Sequence, residues 1–171
     1  MPDIAYISEA DDAGIAAWLE QRLAAALAEH PDGIAINVPG GATPFPIFAI
    51  LARSGLDWAR IAVWPGDDRI VPEGNPASNV GRIREALEPA GARIVPLTPG
   101  ARPPRFALTW LGMGANGHIA SLFPNMDPRA DDPQRVRQLT PEPLPPEAVR
   151  SHQPDHSGAA GQRGAGFRDP G

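Results

Sequence analysis

From Ala10 to His30, the apolar residues Ile15, Trp18, Leu19, Leu23 and Leu27 recur every three or four positions. That spacing gathers them on one face of a helix. Asp32-Gly33 closes the pattern, and Ile34-Ala35-Ile36-Asn37-Val38 follows as a short apolar run bounded by turn residues, the mark of a buried strand. A first short strand is expected at Ile4–Ser8. After PGGATP a second helical stretch, FPIFAILA, begins near Thr43-Pro44, with Pro44 suited to the first helical turn and Thr43 to the cap. Ile61–Trp64 reads as a strand and GDDRIVPEGNPASN as a long polar loop. Ala77–Leu87 reads as a helix, and Arg93–Pro96 and Phe106–Leu111 as further strands. The last of these runs into LGMGANGHIASLFP, residues 111–124.

Strands alternating with helices predict an α/β fold: three layers, a mostly parallel open sheet and helices on both faces, Rossmann-like and incomplete at the C-terminus. In such sheets ligands bind beyond the carboxyl ends of the strands. PGGATP, GDDRIVP and GMGANGH each follow a predicted strand, so all three are expected on one edge of the sheet.

Each loop admits a functional and a plain reading. Gly40 and Gly41 allow backbone N–H groups to approach an anion beside a helix start, or simply make a tight turn. Asp67 or Asp68 could move a proton, and Arg69 could hold a phosphate through paired N–H bonds. The same cluster also suits a solvated loop with a local salt bridge. Asn79 reads as a helix-end residue rather than a ligand contact. His118 stands among Gly112, Gly114 and Gly117, which leave room for a ligand beside an imidazole able to act as a base near neutral pH. Of four histidines it is the credible catalytic one, since His30 ends a helix and His152 and His156 lie in a degenerate C-terminal stretch.

Composition narrows the classes. The chain has 171 residues, 42% of them hydrophobic, enough for one α/β domain with a sizeable core. No apolar run approaches the roughly 20 residues of a membrane span. The N-terminus lacks a basic region followed by an apolar stretch, so no secretory signal is expected. Without cysteine, thiolate chemistry and disulfides are excluded, a structural zinc site is disfavoured, and a cytoplasmic setting is the default. A formal charge of −5 argues against nucleic acid as a partner.

Taken together, the three loops resemble the 6-phosphogluconolactonase family, within the larger group that includes glucosamine-6-phosphate deaminases. Residues 39–44, PGGATP, are similar to the family's SGGSTP. Asp67-Asp68-Arg69-Ile70-Val71-Pro72, followed by Ser78-Asn79, resembles its DERxVP and SN. Residues 111–124 resemble its LGMGxDGHTASLFP. The resemblance, which spans residues 4–124, implies hydrolysis of 6-phosphogluconolactone to 6-phosphogluconate in the cytosolic oxidative pentose phosphate route. It makes His118 the base that activates water and Asp67 the acidic residue of the site. Arg69 would grip the phosphate, with Gly40, Gly41, Thr43, Gly114, Asn116 and Gly117 in the substrate pocket. The implied partner is a small phosphorylated sugar lactone, with no nucleic acid and no membrane. No metal or organic cofactor is expected, because a lactone is already an activated ester.

Departures from the family pattern are Ala42 for a serine, Asp68 for Glu, Asn116 for an Asp and Ile119 for Thr. Ile119 leans toward the amino-sugar-phosphate deaminases. Ser121-Leu122-Phe123-Pro124, with no Glu nearby, leans back to the lactonases.

Beyond Arg150 the chain holds a single large apolar residue, Phe167, too little to offset the entropy of ordering it. The expected organisation is therefore a partial lactonase-like domain over 1–147 and an aberrant, disordered tail over 148–171. A one-base shift of reading frame near Ala148 is the expected cause of the change. Codons able to spell the tail, read one base on, permit PFDRISLTIPA and then LVSAARVFVIR, two apolar segments of the kind the family places after its third motif. The alternative function is a non-catalytic remnant of the enzyme.

Overall fold

A computed structural model of the chain describes residues 7–115, 117–123, 131, 133 and 135–139. The chain divides into two compact units, Met1–Gly112 with Asp131–Gln138, and Met113–Ala130 with Leu139–Gly171. Residues 4–6 of the expected first strand, Asn116, Pro124 and the expected boundary at 147/148 lie outside the described residues. Ile7 and Ser8 are described, but not as strand, and Ile7 is exposed.

The first unit begins with α1, Asp12–Glu29. Asp11 caps it, its carboxylate accepting the Gly14 N–H at 2.7 Å. The buried stripe runs through Ala16, Leu19, Leu23 and Leu27. Trp18, expected in that stripe, is 42% exposed, and the Arg22 guanidinium lies 5.1 Å from its ring centroid. Ala16 takes an inward position instead, about 200° around the helix from Trp18 and in line with Leu19, Leu23 and Leu27.

Gly33 then turns the chain with φ +100°, and a Cβ there would fall 2.5 Å from the Arg60 carbonyl oxygen. The strand β1, Ile34–Val38, alternates buried and half-buried positions as its sequence predicts. α2 spans Pro44–Leu51. Thr43 occupies the cap position, but its backbone is already helical (φ −59°, ψ −41°) and its side chain makes no capping bond, contrary to expectation. β2 is Ile61–Pro65, and α3 is Asn79–Leu87. α3 starts two residues later than the pattern suggests, since Ser78 is extended (φ −73°, ψ 121°) and caps the helix by accepting the Gly81 N–H.

β3 (Arg93–Ile94) and β4 (Leu108–Thr109) are shorter than expected. Their ladders still reach further: Val95 donates to Val63, Ala107 to Ala35 and Trp110 to Asn37. The four strands are parallel in the order β3-β2-β1-β4.

Register places Ile36, Val63 and Ile94 side by side on one face. That face, with Ile34, Val38 and Ile61, shares a single hydrophobic cluster with apolar residues of α1, α2 and α3. Phe48 is buried at its centre, edge-on to Phe45 at 5.4 Å and to Trp110 at 5.6 Å. The other face carries Ala35, Asn37, Ala62 and Trp64. Phe106 meets Trp64 edge-on at 6.1 Å on that face. No helix among the described residues is long and apolar enough to cross a membrane.

Candidate active site

In the first unit, the loops that leave β1, β2 and β4 emerge from neighbouring strands. The chain after β2 is tied back to β1 by the Gly66 N–H on the Val38 carbonyl, 2.7 Å. On the other side Gly112 packs on Pro39, where a Cβ at 112 would lie 3.4 Å from that of the proline. The carboxyl edge of the sheet is thus a continuous rim of loop backbone, where the α/β architecture puts ligands.

The two adjacent aspartates on this rim have different hydrogen-bond partners. Asp68 is given wholly to the start of α3. Its Oδ1 accepts the N–H groups of Arg69 at 2.8 Å and Asn79 at 2.6 Å, and its Oδ2 meets the Val80 N–H at 3.3 Å and the Ser78 hydroxyl at 3.4 Å. A carboxylate there satisfies first-turn donors and the positive end of the helix. Asp67 is instead met by the Asn79 carboxamide, whose Nδ2 donates to the Asp67 carbonyl at 3.0 Å and to its Oδ1 at 3.2 Å.

Asn79 also touches Gly40. A Cβ at residue 40 would fall 2.2 Å from the Asn79 Cγ and Oδ1. The structure therefore brings Gly40 and Asp67 together through a residue that sequence reasoning assigned to the helix end alone. The signal available was Ser-Asn directly after the loop, but nothing local says where that amide points.

The remaining rim residues are open. Gly41 has φ +80° and empty space where a Cβ would be, and Thr43 is exposed. Arg69 is exposed, and among the described residues its guanidinium makes no ion pair with either aspartate. The ion pairs of this loop lie further on. Arg84 of α3 donates to Glu73, and to Glu88 at 2.6 Å; these hydrogen bonds to the two carboxylates raise its pKa above the usual guanidinium value. Gly81 completes the docking, since a Cβ there would meet the Glu73 carbonyl oxygen at 2.1 Å.

The second unit holds the histidine loop. Gly114 donates its N–H to the His118 carbonyl at 2.8 Å, and Gly117 donates to the Gly114 carbonyl at 2.9 Å, so the segment closes on itself. Ile119 bridges both Met113 and Leu122. The His118 ring is half-buried and meets Phe123 with centroids 5.1 Å apart, tilted by 33°. A Cβ on Gly114 would fall 2.0 Å from the imidazole Cε1 and 2.3 Å from Nδ1. The glycines were expected to leave room for a ligand, but at residue 114 the imidazole itself fills that room. At Gly117, with φ +82°, the corresponding space is open. Asn116 lies outside the described residues. No group of three or more His, Asp or Glu among the described residues could hold a metal ion.

A family model described as glucosamine-6-phosphate isomerases/6-phosphogluconolactonase matches residues 9–101 and 90–150. A 6-phosphogluconolactonase of Pseudomonas aeruginosa is 38% identical over 150 residues, covering 75% of this chain and 62% of that protein. One of Mesorhizobium japonicum is 34% identical over 148 residues, covering 74% and 62%. The crystal structure of a 6-phosphogluconolactonase from Shewanella baltica superposes with a TM-score of 0.60 at 26% identity, over 66% of this chain and 56% of that one. The chain spans about three fifths of the length of the curated relatives it matches.

Proposed function

The chain belongs to the glucosamine-6-phosphate isomerase/6-phosphogluconolactonase family, and on that premise we propose that it hydrolyses 6-phosphoglucono-1,5-lactone to 6-phosphogluconate. The observation that carries the reading is the imidazole of His118 held against the Cα of Gly114 in a loop closed by its own hydrogen bonds. The lactonase side of the family is favoured over the deaminase side by Ser121-Leu122-Phe123 after the histidine, with no Glu in that stretch.

In this reading His118 takes a proton from water as the water oxygen attacks the lactone carbonyl carbon. The carbonyl electron pair moves onto oxygen, and backbone N–H groups of the glycine loops stabilise the oxyanion. Collapse breaks the bond from that carbon to the ring oxygen, which recovers the proton from the imidazolium. The sum is lactone plus water to hydroxy acid, which ionises to the carboxylate.

Asp67 is the acidic residue of the reaction. Arg69 grips the phosphate through paired N–H bonds. The family resemblance assigns sugar-phosphate binding to Gly40, Gly41 and Thr43 and, separately, to Gly114, Asn116 and Gly117. The reaction belongs to the oxidative pentose phosphate route in the cytoplasm and uses no cofactor.

The test is lactone hydrolysis by the purified 171-residue chain, measured against spontaneous opening and against His118→Ala. Turnover that disappears in the variant supports the reading. Turnover that survives it removes His118 from the chemistry. A folded chain without turnover favours the non-catalytic alternative.

A further inference from the structure

We propose that Asn79 is the positioning residue for Asp67, its buried carboxamide fixing the direction in which that carboxylate is presented at the sheet edge. The inference rests on the reading of Asp67 as a residue of the lactonase site.

Three observations carry it. First, the Asn79 side chain is not needed as a cap. The Gly81 N–H is served by the Ser78 hydroxyl, and the Asn79 and Val80 N–H groups by Asp68. Asn79 is the first residue of α3, a place where side chains are ordinarily solvated, yet it is 8% exposed. A buried amide is costly unless it is hydrogen-bonded.

Second, its two N–H groups go to the main chain and the carboxylate of the same residue, at 3.0 Å to the carbonyl and 3.2 Å to Oδ1. A donor that grips both ends of Asp67 restrains its backbone and its side-chain torsion together.

Third, Gly40 holds the amide from the opposite side, with Cγ, Oδ1 and Nδ2 all 2.2–2.3 Å from where a Cβ would be. The carboxamide is thus clamped between the turn after β1 and the residue it orients. Asp68 fixes the backbone of Asn79, and the side chain of Asn79 fixes Asp67.

The experiment uses the 171-residue chain with Asn79→Ala and the similarly sized Asn79→Leu, which keeps the bulk but presents no donor. Three-bond couplings at Asp67 in isotope-labelled protein read its side-chain rotamer, and amide exchange of α3 reads the fold. The expected result is one Asp67 rotamer in the parent and averaging in both variants, with α3 protection retained through Asp68 and Ser78. An Asp67 rotamer unchanged in a folded variant overturns the proposal, as does loss of α3 protection in both.

Kinetics add a double-variant cycle with Asp67→Ala. Asn79→Ala alone should lower kcat roughly ten- to a hundredfold with little change in KM, and should have no further effect once Asp67 is gone. Additive losses overturn the positioning role. If the parent shows no turnover, the lactonase reading fails, and the rotamer measurement still decides whether Asn79 orients Asp67.

Discussion

The imidazole of His118 occupies the space that a side chain at Gly114 would need, 2.0 Å from the position of that Cβ. Ring and backbone are therefore a matched pair. Gly114→Ala must push the imidazole aside or open the loop closed by the Gly114 N–H on the His118 carbonyl. The expected outcome is a fall in lactone turnover of roughly ten- to a thousandfold, approaching that of His118→Ala. Gly117→Ala meets no atom and carries only left-handed strain, about 1 kcal/mol, so its turnover should fall less. Steady-state kinetics on both variants check this. Equal turnover of Gly114→Ala and the parent would contradict it.

Asp68 should behave as a stability residue. Its carboxylate accepts from Arg69, Ser78, Asn79 and Val80, so Asp68→Ala leaves the first turn of α3 short of acceptors. The expected cost is about 1–2 kcal/mol, with faster amide exchange at Asn79 and Val80. Asp68→Asn, keeping one acceptor oxygen, should lie between. Chemical denaturation with exchange at those two amides is the measurement. An unchanged midpoint would show that solvent replaces the carboxylate at no cost.

How much of this was legible in the residues depends on the range of the interaction. The parallel β1 and β2 and the three helices follow from short-range pattern, since apolar runs and their turn residues lie within one element. Side-chain identity misled where the phase of the helix decided. Trp18 has the apolar character of the α1 stripe, but it lies about 200° around the helix from the inward Ala16 and is left exposed beside Arg22. Thr43 has the chemistry of a cap, but its backbone is already helical. That the Asp68 carboxylate anchors the start of α3 was not legible in the loop itself. The anchoring is set by Ser78, Asn79 and Val80, ten or more residues on, and only the fold brings them to the loop.

Glycine at residue 33 is demanded by both backbone angle and space. With φ +100° and the Arg60 carbonyl oxygen 2.5 Å from a would-be Cβ, Gly33→Ala should destabilise the chain by about 2 kcal/mol or more. Gly55 is the control: it has no positive φ and nothing within 4 Å of a Cβ, so Gly55→Ala should change stability by no more than about 0.5 kcal/mol. Thermal unfolding of the pair is the comparison. Similar losses in both would mean that the turn before β1 adjusts freely.

The contact between Gly40 and Asn79 predicts a coupling that can be read without any substrate. Gly40→Ala drives a methyl group to 2.2 Å from the carboxamide. The amide must then leave Asp67, and the single variant should lose stability through overpacking, about 1–3 kcal/mol. Asn79→Ala alone removes the buried amide and its two bonds to Asp67. In the double variant the space vacated by the amide receives the new methyl group, so the clash present in Gly40→Ala is relieved. The two changes should therefore be markedly less destabilising together than their sum, by roughly 0.5–3 kcal/mol, as expected for side chains in direct contact. Denaturant unfolding of the four chains gives the coupling energy. A value within about 0.5 kcal/mol of zero would mean that the turn after β1 and the start of α3 yield independently, and that Gly40 does not hold the amide against Asp67.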